Sequence, residues 1–162
     1  MAKKLAVIIP VTKEKLEDTT INVFSELRES ISEAFYKTID SACIFGTNSP
    51  FETSLFGKIS TSGNTIAATE KIDIDVSDLM SKVEENGFDV NGFTATIGLK
   101  GTLRKLRDNN GASLFIEGTN QKEFYSQPIE FVRNGAWDKE KAIIIGGEWK
   151  YSLFGLKQGI EF

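Results

Sequence analysis

The sequence predicts an α+β fold, and three observations support this class. Apolar residues recur at spacings of three and four through the first third of the chain, which is typical of a long amphipathic helix. Short β-branched and aromatic runs dominate after residue 90, as in strands. Helices and strands alternate without a strict strand–helix–strand repeat, which disfavours a doubly wound sheet. With 162 residues and 40% apolar content, the chain suffices for one domain, or for two small ones that share an element.

The first two predicted elements are a strand and a long helix. Residues 5–11 (LAVIIPV) form a β-branched run that reaches a turn at Pro10. Thr12 offers a helix N-cap, and one helix is predicted from about residue 13 to about residue 44, where Gly46 stops it. At that length the helix would extend about 45 Å, more than the radius of a compact domain of this size. We therefore expect part of its surface to face a partner molecule.

A turn-rich stretch follows between Gly46 and Lys71 and predicts a loop, anchored by Phe51, Leu55 and Phe56. Residues 72–75 (IDID) predict a short strand that leads into a second helix, which Asn86-Gly87 ends. The apolar face of this second helix consists of Val76, Leu79, Met80 and Val83.

The remaining chain predicts mainly sheet. Strands are expected over residues 93–97, 112–117, 127–132, 141–145 and 151–162, the last with bends at Gly155 and Gly159. A third helix is marked by Leu99, Leu103 and Leu106 and ended by the glycine at position 111. We find no repeat of solenoid or propeller period.

Two absences restrict the chemistry. The chain has no histidine, which excludes Ser-His-Asp triads, Cys-His dyads and zinc sites that contain histidine. Its single cysteine, Cys43, excludes an intrachain disulfide and a multi-cysteine metal centre. No phosphate-binding glycine motif is present, since Gly57-Lys58 is followed by Ile59 instead of a hydroxyl residue. We predict no catalytic, cofactor-binding or metal-binding residues, and no enzymatic activity.

Charge also argues against a nucleic-acid-binding protein. Nineteen basic and 23 acidic side chains give a net charge of −4, whereas proteins that grip phosphate backbones usually carry a basic patch. The nearest candidate for such a patch alternates with leucines, and we interpret it as the solvated side of an amphipathic helix rather than a nucleic-acid contact. It comprises Lys100, Arg104, Lys105 and Arg107. The longest apolar runs are too short for a membrane span.

Three further features each have a structural and a functional interpretation. The acidic cluster of Asp73, Asp75 and Asp78 fits helix capping and the helix dipole, and less well a divalent metal. Cys43 fits a small buried side chain better than a nucleophile, because no histidine can activate it. Trp137 and Trp149, with Tyr151 and Phe154, are interpreted as core residues or as the lining of a ligand groove.

The order of these features resembles the tailed-bacteriophage major capsid proteins. Residues 4–18 (KLAVIIPVTKEKLED), followed by a long helix that ends at residues 40–46 (DSACIFG), resemble the family's strand, Pro-Val-Ser/Thr step, Leu-Glu-Asp and terminal Asp-x-Ala-x-Leu-x-Gly. Residues 103–111 (LRKLRDNNG) look like the family's Leu-x-x-Leu-Lys-Asp-x-x-Gly. Residues 145–151 (IGGEWKY) look like its Gly-Asp-Phe/Trp segment. The three motifs occur in the family's order along nearly the whole chain.

The resemblance implies the Hong Kong 97-type shell fold. On that mapping, residues 1–50 hold a peripheral-domain strand and the long spine helix, and residues 51–162 form the axial domain with the start of the return strand to the peripheral domain. Family members also have an N-terminal arm, an extended hairpin and final peripheral elements, which this sequence lacks. We therefore expect a central fragment of a larger subunit, monomeric or weakly oligomeric alone and unable to form shells.

The function that the resemblance implies is that of a structural major capsid protein of a tailed bacteriophage or prophage, self-assembling into the icosahedral shell that encloses DNA. Its partners would be copies of itself, in pentamers and hexamers of the full-length protein, and scaffolding, protease and portal proteins are further candidates. It would be located in the virion capsid, and in the host cytoplasm before assembly. The alternative from a different class is a cytosolic small-ligand binding module with a groove near Trp137 and Trp149.

Overall fold

The computed structural model describes residues 3–6, 8, 10, 23–118 and 122–155, with side chains of the first helix from Leu27 onward. The helices are α1 (Val23–Phe45), α2 (Leu55–Thr61), α3 (Ile72–Glu84) and the single turn α4 (Lys100–Leu103). The strands are β1 (Phe93–Thr96), β2 (Phe115–Glu117), β3 (Lys122–Phe124), β4 (Gln127–Val132) and β5 (Ile144–Gly146). The predicted α+β class is confirmed.

The five strands form one mixed sheet in the order β2-β3-β4-β1-β5. The central pair, β1 and β4, is parallel, and Phe93 lies opposite Ile129. The other three pairs are antiparallel, and Phe93 also lies opposite Gly146 of β5. The sheet therefore has two edge strands, β2 and β5, at its opposite ends.

Each face of the sheet packs against a different layer because successive side chains of a strand point to opposite faces. On one face, Phe93 and Ala95 of β1 join Phe124 and Ile129 in a core that α3 covers through Val76. The second face is covered by the end of α1 and by α2. There, a smaller core consists of Phe45, Trp137 and Ile145, with Leu55, Phe56 and Ile59 packed against it.

Helix α1 confirms the predicted long helix over the part that the structure describes. It runs for 23 residues, about 34 Å at the α-helical rise, and its last residue is one beyond the predicted end. The predicted start of this helix, at residues 13–22, lies outside the described residues. In the predicted opening strand the structure describes Leu5, Ala6, Ile8 and Pro10, and none of these four is in a strand.

The prediction of a strand at residues 72–75 is wrong, because these residues form the first turn of α3. Ile72 lies one helical turn before Val76, so both can pack against the same core. Tertiary packing here outweighs the β preference of the two isoleucines. The helix ends at Glu84, before the predicted stop, and Gly87 follows with a φ of 80°.

The loop predicted between residues 46 and 71 contains a helix, α2. The Ser54 hydroxyl caps it by accepting a hydrogen bond from the Gly57 N–H at 3.1 Å. Conversely, the predicted third helix is reduced to a 3₁₀ turn over Ile97–Leu99 and the single turn α4. Leu106 lies beyond the end of α4. There the Arg107 guanidinium donates hydrogen bonds to the carbonyl groups of Arg104 and Leu106, which in a longer helix would accept from backbone N–H groups.

The strand predictions differ in accuracy. Strand β4 is confirmed at its predicted bounds, and β1, β2 and β5 are shorter than predicted or shifted by one residue. Strand β3 was not predicted, because its residues Lys-Glu-Phe carry little β signal. It forms a hairpin with β4 through Tyr125 and Ser126, with φ values of 52° and 60°. In place of the predicted strand after residue 150, Trp149–Tyr151 form a 3₁₀ turn and residues 152–155 are not in a strand. Residues 156–162 lie outside the described residues.

Candidate functional site

The end of α1 is attached to the second face of the sheet by one polar and one aromatic contact. The side-chain amide of Asn134, just after β4, donates a hydrogen bond to Asp40 Oδ2 at 2.6 Å. One helical turn further along, the Phe45 ring meets Trp137 edge-on, with centroids 5.2 Å apart. These contacts fix the direction in which the long helix leaves the sheet.

Trp137 is part of the smaller core and Trp149 packs against it, and both indole N–H groups are used within the fold. Trp137 Nε1 donates to the Ala142 carbonyl at 2.7 Å, and Trp149 Nε1 donates to the Gly92 carbonyl at 2.8 Å. Neither indole is free to donate to a ligand, so the core interpretation of both residues fits this geometry and the proposed ligand groove has no support.

A groove does exist elsewhere, between α2, α3 and β5. Its volume is about 730 Å³, and its described lining is mostly apolar. Neither Trp137 nor Trp149 is among these lining residues.

The predicted acidic cluster serves the start of α3. Asp75 lies in the first turn and accepts two hydrogen bonds from Thr69, from its N–H at 2.7 Å and its hydroxyl at 2.8 Å. The Tyr125 hydroxyl donates to the Asp73 carbonyl at 2.9 Å, and burial raises the pKa of this phenol. The carboxylates suit the helix dipole, but Asp75 binds the preceding loop instead of capping its own helix. Within the described ranges, no group of three or more carboxylates or cysteines could hold a metal ion.

Cys43 lies in the last turns of α1 and is half-buried. Burial raises the pKa of its thiol, and the nearby Asp40 carboxylate raises it further. Both effects disfavour the thiolate, which is the nucleophilic form of cysteine. The surroundings of Cys43 therefore favour a packing role.

Three of the four predicted basic residues have partners in the described part of the chain, and these partners differ. Lys100 and Arg104 both bind the Glu117 carboxylate at the end of β2, with Arg104 Nη2 at 2.6 Å from Oε2. These hydrogen bonds lower the pKa of Glu117, and the one from Lys100 has the larger effect. Arg107 Nη1 instead donates to the carbonyls of Arg104 and Leu106, both at 2.7 Å.

We name the surface formed by Lys100, Arg104, Lys105 and Arg107 the basic edge, because it follows the edge strand β2. Within the described part of the chain, Glu117 is its only ion-paired carboxylate, and Asp108 accepts hydrogen bonds from backbone N–H groups. Arg104, Lys105 and Arg107 are exposed. Four cations against these two carboxylates leave an excess of two positive charges.

At the opposite end of the sheet lies a second charged surface that the sequence analysis did not identify, which we name the acidic corner. It comprises Glu84, Glu85, Phe88, Asp89, Glu148 and Tyr151. The exposed rings of Phe88 and Tyr151 meet edge-on, with centroids 5.4 Å apart. Lys150 pairs with Glu148, and this hydrogen bond raises the pKa of Lys150.

The acidic corner is held together by hydrogen bonds between the segment before β1 and the segment after β5. The Asn91 N–H donates to the Gly147 carbonyl at 3.2 Å, and the Trp149 N–H donates to Asn91 Oδ1 at 3.0 Å. In the sequence, residues 84–89 (EENGFD) place Phe88 among acidic residues near the end of a helix. Its partner Tyr151 lies more than 60 positions away, so only the fold reveals the pair.

None of the described helices is both long enough and apolar enough to cross a lipid bilayer.

Comparison with known proteins gives consistent results. The phage capsid family model matches residues 1–162. The major capsid protein of Staphylococcus phage 80alpha is 29% identical over 162 residues, which cover 99% of this chain and 49% of that protein.

Solved structures from two phages share the fold. A chain from Microbacterium phage Oxtober96 has a TM-score of 0.75 at 29% identity, covering 89% of this chain and 50% of that one. A chain from Mycobacterium phage Cain has a TM-score of 0.69 at 26% identity, covering 88% and 48% respectively. The chain thus spans about half the length of these relatives. Because the family match extends over all 162 residues, the chain belongs to the phage capsid family.

Proposed function

We propose that the chain is the central part of a major capsid protein, which assembles into the icosahedral shell that encloses the DNA of a tailed bacteriophage or prophage. The observation that carries this proposal is the family match over the whole chain, together with the shared fold. The protein's role is structural, and its chemistry is self-association rather than catalysis. Its location is the virion capsid, after a period in the host cytoplasm before assembly.

The proposed division of the chain assigns residues 1–50 to the peripheral domain and residues 51–162 to the axial domain with the start of the return strand. Support comes from the contrast between α1 and the sheet. The last turns of α1 pack against the sheet through Phe45 and Asp40, whereas Tyr36, about one turn before Asp40, is 59% exposed. A helix fixed at one end and exposed earlier along its length suits a subunit whose neighbours cover part of the helix.

Copies of the same protein are the proposed partners, in pentamers and hexamers. A closed shell repeats each contact many times, so weak individual contacts are sufficient for a stable assembly. Scaffolding, protease and portal proteins are proposed as further partners. The net charge of −4 supports a shell wall without a specific nucleic-acid site.

Mass spectrometry of purified particles tests this function. Nuclease-treated, gradient-purified particles from a culture that produces the encoding phage should yield peptides of this chain among their most abundant proteins. Immunogold labelling with antibody raised against residues 23–118 should mark the head and leave the tail unlabelled. Particles in which these peptides are absent, or are minor components, would refute the proposal.

A further inference from the structure

The basic edge and the acidic corner lie at opposite ends of the same sheet. The basic edge follows β2, and the acidic corner continues from β5 through residues 147–151. Strands β3, β4 and β1 lie between them, so the two edge strands are about 19 Å apart at the usual interstrand spacing. One molecule therefore cannot bring its own two surfaces into contact.

The two surfaces carry opposite and equal excess charge. The acidic corner has four carboxylates against the ammonium groups of Lys82 and Lys150, an excess of two negative charges that matches the positive excess of the basic edge. Within the described residues, Glu84, Glu85 and Asp89 form no ion pair, and neither do Lys105 and Arg107. These charges remain available to a partner.

The acidic corner also has the chemistry that suits a guanidinium group. Phe88 and Tyr151 are 43% and 65% exposed, and the Lys150 ammonium group lies 5.0 Å from the centroid of the Tyr151 ring, so this aromatic pair already contacts one cation. A guanidinium group can stack on an aromatic face while it pairs with a carboxylate. The basic edge presents two arginines at the opposite end of the molecule.

We propose that the basic edge of one copy docks on the acidic corner of the next copy, so that Arg104 and Arg107 lie against Phe88 and Tyr151. The inference rests on the proposed function, because it assigns two contact surfaces for self-association. The surfaces differ and lie at opposite ends of the sheet, so the contact is head-to-tail. Such contacts generate closed rings when the rotation between copies closes.

Two double variants test the contact by reversing one surface at a time. Lys105→Glu, combined with Asn109→Asp at an exposed position two residues after Arg107, makes the basic edge acidic. Glu84→Lys with Glu85→Lys makes the acidic corner basic. Within the part of the chain that the structure describes, none of these four side chains makes a hydrogen bond or an ion pair. Each variant should therefore melt within about 2 °C of the wild-type chain.

A control that is matched to the basic-edge variant applies the same change in charge elsewhere. Lys58→Glu with Asn64→Asp alters exposed positions in and after α2, on neither surface. This variant should associate as the wild-type chain does.

Sedimentation velocity of the 162-residue chain gives the readout. We expect concentration-dependent self-association that weakens between about 50 mM and about 500 mM salt, because the contact is charged. Each surface variant alone should weaken association by about tenfold or more, and an equimolar mixture of the two should restore it, since their altered surfaces complement each other.

Three results would overturn the inference: no association of the wild-type chain at low salt, association of either surface variant as strong as that of the wild-type chain, or no recovery in the mixture. None of them bears on whether the chain is found in particles. The mass spectrometry described above decides that question separately, so failure of the contact can be distinguished from failure of the proposed function.

Discussion

Gly146 on β5 is the position where the structure gives the sharpest test of core packing. A Cβ added at this glycine would lie 2.6 Å from Phe93 Cδ1, 2.7 Å from Phe93 Cε1 and 3.0 Å from Leu79 Cδ2. Carbon atoms in contact normally lie about 3.5–4.0 Å apart, so an alanine would overlap the Phe93 ring by about 1 Å. The ring is only 3% exposed and packs against Phe124, which limits the space into which it can move.

Gly146→Ala should therefore lower the free energy of unfolding by about 1–3 kcal/mol, the usual cost of overpacking a core. For a chain of this size, that corresponds to a decrease of about 3–10 °C in the melting temperature. Urea titration followed by tryptophan fluorescence measures the change, since Trp137 and Trp149 both pack against the sheet.

The adjacent glycine provides the control. A Cβ at Gly147 would meet no atom within 4 Å, so Gly147→Ala should change stability by less than about 0.5 kcal/mol. Adding Phe93→Leu to Gly146→Ala should relieve the overlap and give a coupling energy of about 1 kcal/mol. The reasoning would be refuted if the alanine variants at 146 and 147 were equally stable.

Three further predictions concern residues that the sequence analysis singled out or that bind them. Trp137→Phe should lower stability by about 1–3 kcal/mol in urea titration, because it leaves the half-buried Ala142 carbonyl without its donor. The pKa of Glu117 is lowered in the folded protein, so its stabilising contribution is present above pH 4.5, its ordinary pKa, and is lost as the pH falls through the lower, folded-state value. The melting temperature should accordingly depend less on pH between pH 7 and pH 3 in Glu117→Gln than in the wild-type chain. Cys43 should react with iodoacetamide more slowly in the native chain than in the urea-unfolded chain at the same pH, because its thiol pKa is raised. Equal rates would contradict the burial of Cys43.

The elements that the sequence predicted well are those whose pattern is determined locally. The amphipathic repeat of α1 and the alternating pattern of β4 each predict one apolar face. Strand β4 places Ile129 and Phe131 in the larger core, whereas α1, over its described side chains, buries only its last turns, through Ala42 and Phe45. Failures occur where tertiary contacts decide the conformation. Residues 72–75 form a helix because Ile72 and Val76 share a buried face, and β3 forms because β4 provides a hairpin partner.

The candidate surfaces show the same division. The sequence identified the cations of the basic edge, because they are close together along the chain. It could not show that Lys100 and Arg104 share Glu117, because that carboxylate lies at the end of β2, 13 positions after Arg104 in the sequence. The acidic corner was not identified, because Phe88 and Tyr151 come together only when β5 pairs with β1.

The position of β1 in the sheet has a consequence for the order in which the subunit folds. Its neighbours come late in the chain, since Phe93 pairs with Ile129 and with Gly146, whereas β2, β3 and β4 form a local meander. Contacts between distant residues form slowly, because a long loop must close first. The meander can therefore form early, and β1 is enclosed after β5 has been synthesised. Because the Asn91 contacts assemble the acidic corner only at that stage, a nascent or partly folded subunit cannot yet offer this surface to a neighbour.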